Sequence, residues 1–190
     1  MTGLQISDGI GNAYGVQVDS DHRLHTDTVS RSPEHYINWN DGRAYHLTFS
    51  QSPTVNDDCI LYLANSSDDD LVVEGFYLYV SATCQVYVKL SDKGTRNSAT
   101  DLTPVAVNAG SGKTASGDFE KGADLDGGAA TLTGGSEVMR WVFTAAETTD
   151  FFNFEADVVL PKNETLTIWC NDSTVTVTGV VVFYYQAGYS

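Results

Sequence analysis

The feature that most constrains the fold of this chain is a series of short apolar runs that begins after Gly42 and continues almost to the end. In most of these runs apolar and polar residues alternate, and valine, threonine and aromatic residues are common. This pattern predicts β-strands, because successive side chains of a strand face opposite sides of a sheet. We expect strands at residues 44–49, 59–64, 71–80, 84–90, 137–144, 151–155, 166–170 and 175–185, with a shorter one at 102–107 and no helix.

About eight strands fit three architectures: a jelly roll, an immunoglobulin-like sandwich or an open barrel. An immunoglobulin domain needs only about 100 residues and a tryptophan packed on a paired Cys–Cys bridge. Here Trp39, Trp141 and Trp169 do not lie between paired cysteines. Length and strand number therefore predict an all-β fold, a jelly-roll-like two-sheet sandwich over residues 43–190.

The segment before this body, residues 1–42, is expected to form an extended N-terminal arm. Glycines interrupt its start, residues 30–33 break the chain again, and the Asn40-Asp41-Gly42 sequence is a strong turn signal. A second irregular region, residues 108–135, is rich in glycine and has little to bury, so we expect a long excursion of the kind that often carries function.

The charge of the chain excludes several classes of partner. Ten basic against 25 acidic residues give a formal net charge of −15, and no Lys/Arg cluster offsets it locally. Such a surface repels phosphate, so we expect neither nucleic acid nor membrane as a partner. We expect neither a signal peptide nor a membrane span, because the chain shows no basic-then-apolar leader pattern and no apolar stretch near 18 residues. We expect Cys59, Cys84 and Cys170 to be buried thiols, and a Cys59–Cys84 bridge stays open.

Residues 9–24, GIGNAYGVQVDSDHRL, are the most distinctive stretch. They resemble the GNG-x-x-A-x-VD-x-x-NRL opening of phage-encoded virion proteins, in which a G-x-AY sequence precedes the first body strand. Here that sequence is GRAY at 42–45, and TPVAVNAGSG at 103–112 is a further point of similarity. His22 stands where the pattern favours asparagine.

The resemblance implies a jelly-roll decoration, cement or head-fibre protein of a tailed phage. Such a protein is made in the host cytoplasm, becomes part of the virion as a homotrimer, and is not an enzyme. Its partner would be the major capsid protein or another virion protein, bound through the arm. The arm residues that we expect to contact this partner are Tyr14, Val16, Val18, Arg23, Leu24, His25, Arg31, His35, Tyr36 and Trp39.

The alternative function is a receptor- or carbohydrate-binding module of a tail fibre or head appendage. Aromatic side chains that alternation leaves outside the core would form a subunit interface or a platform for host glycans. The pairs that stand out are Tyr77 with Tyr79 and Tyr184 with Tyr185.

No motif predicts a catalytic, cofactor or metal site. GSGKT at 110–114 lacks the glycine at position 107 and the following helix of a phosphate-binding loop. The histidines at 22, 25, 35 and 46 match no zinc spacing. Glu155 and Asp157 are interpreted as edge-strand charges. The aspartates at 68–70, 124 and 126 could offer oxygens to Ca²⁺, but they lack the spacing of a known calcium loop, and we interpret them as solvated loop carboxylates.

Overall fold

The computed structural model describes residues 5–7, 13–15, 32–127, 131–149 and 151–187. The chain divides into two units, Met1–Arg31 and Ser32–Ser190. In the first, β1 (Gln5–Ser7) and β2 (Ala13–Gly15) pair in an antiparallel manner. None of the helices that the structure describes is long and apolar enough to cross a bilayer.

The second unit begins with α1 (Pro33–Asn40) and continues as strands. Eight of its strands are long: β3 (Ala44–Gln51), β4 (Asp58–Asn65), β5 (Asp70–Val80), β6 (Cys84–Leu90), β12 (Ser136–Phe143), β14 (Phe152–Leu160), β15 (Thr165–Cys170) and β16 (Val177–Gln186). The short strands are β7 (Lys93–Gly94), β8 (Thr100–Asp101), β9 (Val105–Ala106), β10 (Gly117–Lys121), β11 (Leu132–Thr133) and β13 (Glu147–Thr148).

The long strands have the pairing of a jelly roll. The first pairs with the last (β3 with β16), the second with the seventh (β4 with β15), the third with the sixth (β5 with β14) and the fourth with the fifth (β6 with β12). Contacts of β5 with β16 and of β6 with β15 complete two antiparallel sheets. The all-β, jelly-roll-like sandwich predicted from the sequence is confirmed.

We call the two layers the β3 sheet, which contains β13, β5, β16, β3 and β9 with β14 beside β5, and the β4 sheet, in the order β12-β6-β15-β4-β10-β8. Alternation fills the space between them. On β3, for example, Tyr45, Leu47 and Phe49 are buried, whereas His46 and Thr48 on the opposite side are exposed. Gly75 marks a bulge in β5: Val182 pairs with Gly75 and Phe183 with Val73.

The excursion, which in the structure is the whole segment between β6 and β12 (residues 91–135), packs against the sandwich instead of extending away from it. Its strand β10 extends β4, and its strand β9 extends β3, so it protects an edge of each sheet. Contrary to the expectation that it buries little, Phe119, Leu125 and Leu132 are buried. Leu125 and Leu132 pack on the outer face of the β4 sheet with Cys59, Tyr62, Tyr87 and Trp169. As a result β15 is buried on both faces.

The helix α1 is a second difference from the sequence expectation. Ser32 caps its start by accepting a hydrogen bond from the backbone N–H of His35 at 3.2 Å, and Pro33 occupies its first turn. Gly42, at φ +63°, ends the turn after it and donates its N–H to the Ile37 carbonyl. The buried Ile37 packs with Ala44, Val72 and Tyr184, so this part of residues 1–42 lies on the β-sandwich of its own chain.

Candidate functional site

The helix α1 presents two aromatic side chains to solvent. Tyr36 is 59% exposed and Trp39 is 71% exposed, because Ile37 occupies the side of the helix that faces the body. A groove of about 660 Å³ runs beside the helix, with Tyr36 and Ile37 on one side and Arg43, Lys113 and Tyr185 among its other residues. Large exposed aromatic groups beside a groove are typical of protein interaction surfaces.

Basic groups line this groove although the chain as a whole is acidic. The Arg43 guanidinium lies 5.3 Å from the centre of the Tyr185 ring and forms a 2.6 Å ion pair with Asp69. Lys113 also lines the groove, together with one acidic residue, Asp41. The groove therefore combines an apolar wall with charged groups of both signs.

The structure brings together three of the ten arm residues predicted to contact a partner: His35, Tyr36 and Trp39 all belong to α1. Tyr14 lies in β2, where only the backbone is described. The other six lie outside the described residues: Val16, Val18, Arg23, Leu24, His25 and Arg31.

The outer face of the β3 sheet holds a second, more apolar groove of about 480 Å³. Tyr77 and Tyr79, on alternate positions of β5, are 46% and 43% exposed and stand along it. The Tyr77 ring is supported by Phe151, with 4.8 Å between ring centres. Gly179 lies in the floor of this groove, and a Cβ there would point into the core, where it would lie 2.8 Å from the side chains of Leu78 and Phe49.

The other aromatic pair, Tyr184 and Tyr185, does not form such a surface. Both residues are 2% exposed. Tyr184 packs beneath α1, and the Tyr185 hydroxyl is bonded to the backbone of Ser116. These two tyrosines therefore do not form an exposed platform of their own: β16 is the central strand of its sheet, Tyr184 lies under the helix, and Tyr185 contributes to the groove beside α1 while almost fully buried.

An acidic cluster lies where the excursion meets the start of β4. One carboxylate oxygen from each of Asp58, Asp124 and Asp126 lies within 4.8 Å of the others. Asp58 is fully buried, and among the described residues no group donates a well-formed hydrogen bond to either oxygen of its ionised carboxylate. Asp126 accepts the backbone N–H of Cys59 at 2.9 Å. The side-chain amide of Asn97 lies 3.4 Å from Asp124.

This environment raises the pKa of Asp58 far above its usual value. Burial is the main cause, followed by a carboxyl–carboxylate hydrogen bond with Asp126 that needs a proton, and by the charges of Asp126 and Asp124. The N–H of Val55 lowers the pKa and is the smallest of these effects. The sequence pattern singled out Asp124 and Asp126 but not Asp58. Asp58 is the first residue of a strand and lies 66 positions away in the chain from Asp124.

The remaining sequence candidates do not form sites among the residues that the structure describes. In the 68–70 loop, Asp68 pairs with Lys162 and Asp69 with Arg43, each at 2.6 Å. No helix follows residues 110–114. His35 and His46 lie on separate elements, and His22 and His25 are outside the described residues, as are the side chains of Glu155 and Asp157. The three cysteines are buried and free, so a Cys59–Cys84 bridge is absent.

Comparison with known proteins yields no relative: no family model, no curated protein and no solved structure matches this chain.

Proposed function

We propose that this chain is a structural protein of a phage virion, a decoration or cement subunit that binds the outer shell of the head and stabilises it. The observation that carries the proposal is the pair of exposed aromatics on α1. Tyr36 and Trp39 are 59% and 71% exposed, and they directly follow the N-terminal segment whose sequence resembles the opening of virion proteins.

The jelly-roll body supports the same proposal. Two packed sheets, each with one edge extended by a strand of the excursion, give a stable module that suits repeated display on a particle. The net charge of −15 keeps such a subunit soluble before assembly. In this proposal the protein has no catalytic role, its partner is the major capsid protein or another virion protein, and its location is the virion.

Binding to empty phage shells tests the proposal. The unaltered chain should sediment with shells, and the double variant Tyr36→Ala, Trp39→Ala should bind about tenfold or more weakly, because exposed aromatic anchors contribute most to such interfaces. Thermal unfolding should show that this variant keeps its fold. If the unaltered chain fails to bind, or if the variant binds as well as the unaltered chain, the proposal is wrong.

A receptor- or carbohydrate-binding module is the second candidate, favoured by the groove at Tyr77 and Tyr79. Flat tyrosine faces stack on sugar rings, and the hydroxyls of Thr48, Ser50 and Thr178 lie around the same groove. A glycan array should then give binding that Tyr77→Ala, Tyr79→Ala abolishes. An array with no signal at high protein concentration would remove this candidate.

The two double variants serve as controls for each other. In the decoration proposal the Tyr77/Tyr79 variant still binds shells, and in the glycan proposal the Tyr36/Trp39 variant still binds sugar. The proposed homotrimer is tested separately by light scattering, and a monomer across the whole concentration range would exclude it.

A further inference from the structure

We propose that Asp58, Asp124 and Asp126 bind a calcium ion that fastens the excursion between β6 and β12 to the start of β4. The three residues come from two segments that are distant in the chain. Asp58 begins β4, and the two others lie in the turn that follows β10. The inference does not depend on the proposed function.

The strongest indication is the buried carboxyl group of Asp58. It is fully buried, and among the described residues no well-formed hydrogen bond compensates its ionised form, since the Val55 N–H makes only a weak contact and Asp126 is itself an acceptor. A carboxylate in such a position is costly, and proteins normally pair it with a cation or coordinate a metal with it. None of the ion pairs between described residues involves Asp58, Asp124 or Asp126.

The spacing of the oxygens fits one shared ion. Oxygens that coordinate the same Ca²⁺ at about 2.3–2.6 Å cannot be more than about 5 Å apart. The three carboxylate oxygens of the cluster meet this condition, since all lie within 4.8 Å of one another. Three carboxylates provide between three and six of the six to eight oxygens that Ca²⁺ takes, and water can supply the others.

The donor set selects a hard cation with flexible geometry. All three side chains offer oxygen, and the thiol of the neighbouring Cys59 donates to the Leu61 carbonyl at 3.4 Å and is not one of the converging groups. Oxygen ligands favour Ca²⁺ and Mg²⁺ over Zn²⁺ or Cu⁺. Mg²⁺ holds several waters and uses one or two carboxylates, so three converging carboxylates favour Ca²⁺.

The backbone holds the turn in place for this role. The N–H of Leu125 donates to the Cys59 carbonyl at 3.2 Å, and the Ala123 carbonyl accepts the N–H of Thr54 at 2.8 Å. At Gly127 a Cβ would lie 1.7 Å from a carboxylate oxygen of Asp124, so a side chain there would displace that carboxylate. An ion at the cluster would remove the repulsion of three carboxylates and stabilise the cover that Leu125 forms over the β4 sheet.

Calorimetric titration of the full chain with CaCl₂, after dialysis against a chelator, tests the site. We expect one ion per chain, much weaker binding of MgCl₂, and a rise in Tm of roughly 5–10 °C when free Ca²⁺ reaches about 100 times Kd. Absence of Ca²⁺ binding up to about 10 mM, well above the range of weak extracellular sites, would overturn the proposal, as would equal affinity for Mg²⁺.

Variants locate the ion. Asp58→Asn and Asp124→Asn should each abolish the calcium-induced rise in Tm. Asp58→Asn should not lower the Tm of the calcium-free protein, because a neutral amide of the same size replaces a carboxyl group that is costly to ionise in this buried position. Asp101→Asn, an exposed aspartate in the same excursion, changes the net charge equally and should keep the full rise. If Asp58→Asn fails to fold, Asp124→Asn still decides. A calcium response that persists in Asp124→Asn would contradict the assignment.

Discussion

The hydroxyl of Tyr185 forms two hydrogen bonds with the backbone of Ser116: it donates to the Ser116 carbonyl oxygen at 2.7 Å and accepts the Ser116 N–H at 3.0 Å. This contact joins the last long strand, β16, to the excursion that covers the sandwich. Tyr185 is 2% exposed, so both hydrogen bonds lie away from solvent.

Removal of this hydroxyl should loosen the attachment of the excursion. Tyr185→Phe keeps the ring but leaves the two backbone groups of Ser116 without their partner. We expect the free energy of unfolding to fall by about 1–3 kcal/mol. Denaturant unfolding measures this free energy. The control is Tyr77→Phe, at an exposed ring, which should change the free energy of unfolding by less than about 0.5 kcal/mol. Equal effects of the two substitutions would contradict the role given to Tyr185.

The docking of α1 on the body depends on Ile37. Truncation by Ile37→Ala removes the one buried side chain of the helix, and we expect a loss of about 2–5 kcal/mol in the free energy of unfolding. Hydrogen exchange at residues 36–42 should be faster in this variant than in the unaltered protein, whereas exchange in β3 should change less. Unchanged exchange in the helix would mean that other contacts hold it.

The bulge at Gly75 requires a glycine because β14 approaches closely. A Cβ at this position would lie 2.1 Å from the Phe152 carbonyl oxygen. Gly75→Ala should therefore lower the free energy of unfolding by about 1–3 kcal/mol through displacement of β14. The control is Gly110→Ala, where the nearest atom is 3.6 Å from the added Cβ, and there the change should be small.

The pair of Lys93 and Glu164 predicts a dependence of stability on pH. Hydrogen bonds from Lys93 and Ser91 hold the pKa of Glu164 below its usual value. The ionised Glu164 stabilises the fold fully above the unfolded-state pKa of about 4.3. This stabilisation is lost as the pH falls through the lower pKa of the folded state. Glu164→Gln should thus be less stable than the unaltered protein at pH 7, and the difference should vanish in acid.

Unfolding measured over a pH series checks this prediction. Lys93→Met removes the cation from the same pair. The free energy of unfolding of this variant should therefore fall less steeply in acid than that of the unaltered protein. A difference between Glu164→Gln and the unaltered protein that stays constant down to low pH would show that the ion pair does not set the pKa.

The sequence predicted the eight long strands because each carries an apolar run long enough to specify a buried face, alternating in most strands and continuous in β4. It missed β10, whose five residues include one apolar side chain, Phe119, and which forms only because β4 offers a free edge. The start of α1 carried a capping signal in Ser32 and Pro33, but residues 30–33 also read as a chain break.

The candidate sites were less predictable for a related reason. Alternation could not tell that Tyr77 and Tyr79 face solvent while Tyr184 and Tyr185 lie beneath the helix and the excursion. Likewise, Asp58 meets Asp124 only through the register of β10 on β4, a long-range pairing that local patterns do not encode.

The most direct test of the central proposal is the protein composition of purified particles. For this test the phage proposed to encode the chain is grown, banded on a density gradient and analysed by quantitative mass spectrometry. We predict that the chain copurifies with intact heads in a fixed ratio to the major shell protein. If the chain stays entirely in the soluble fraction of the lysate and is absent from the particles, the proposal of a virion structural protein is contradicted.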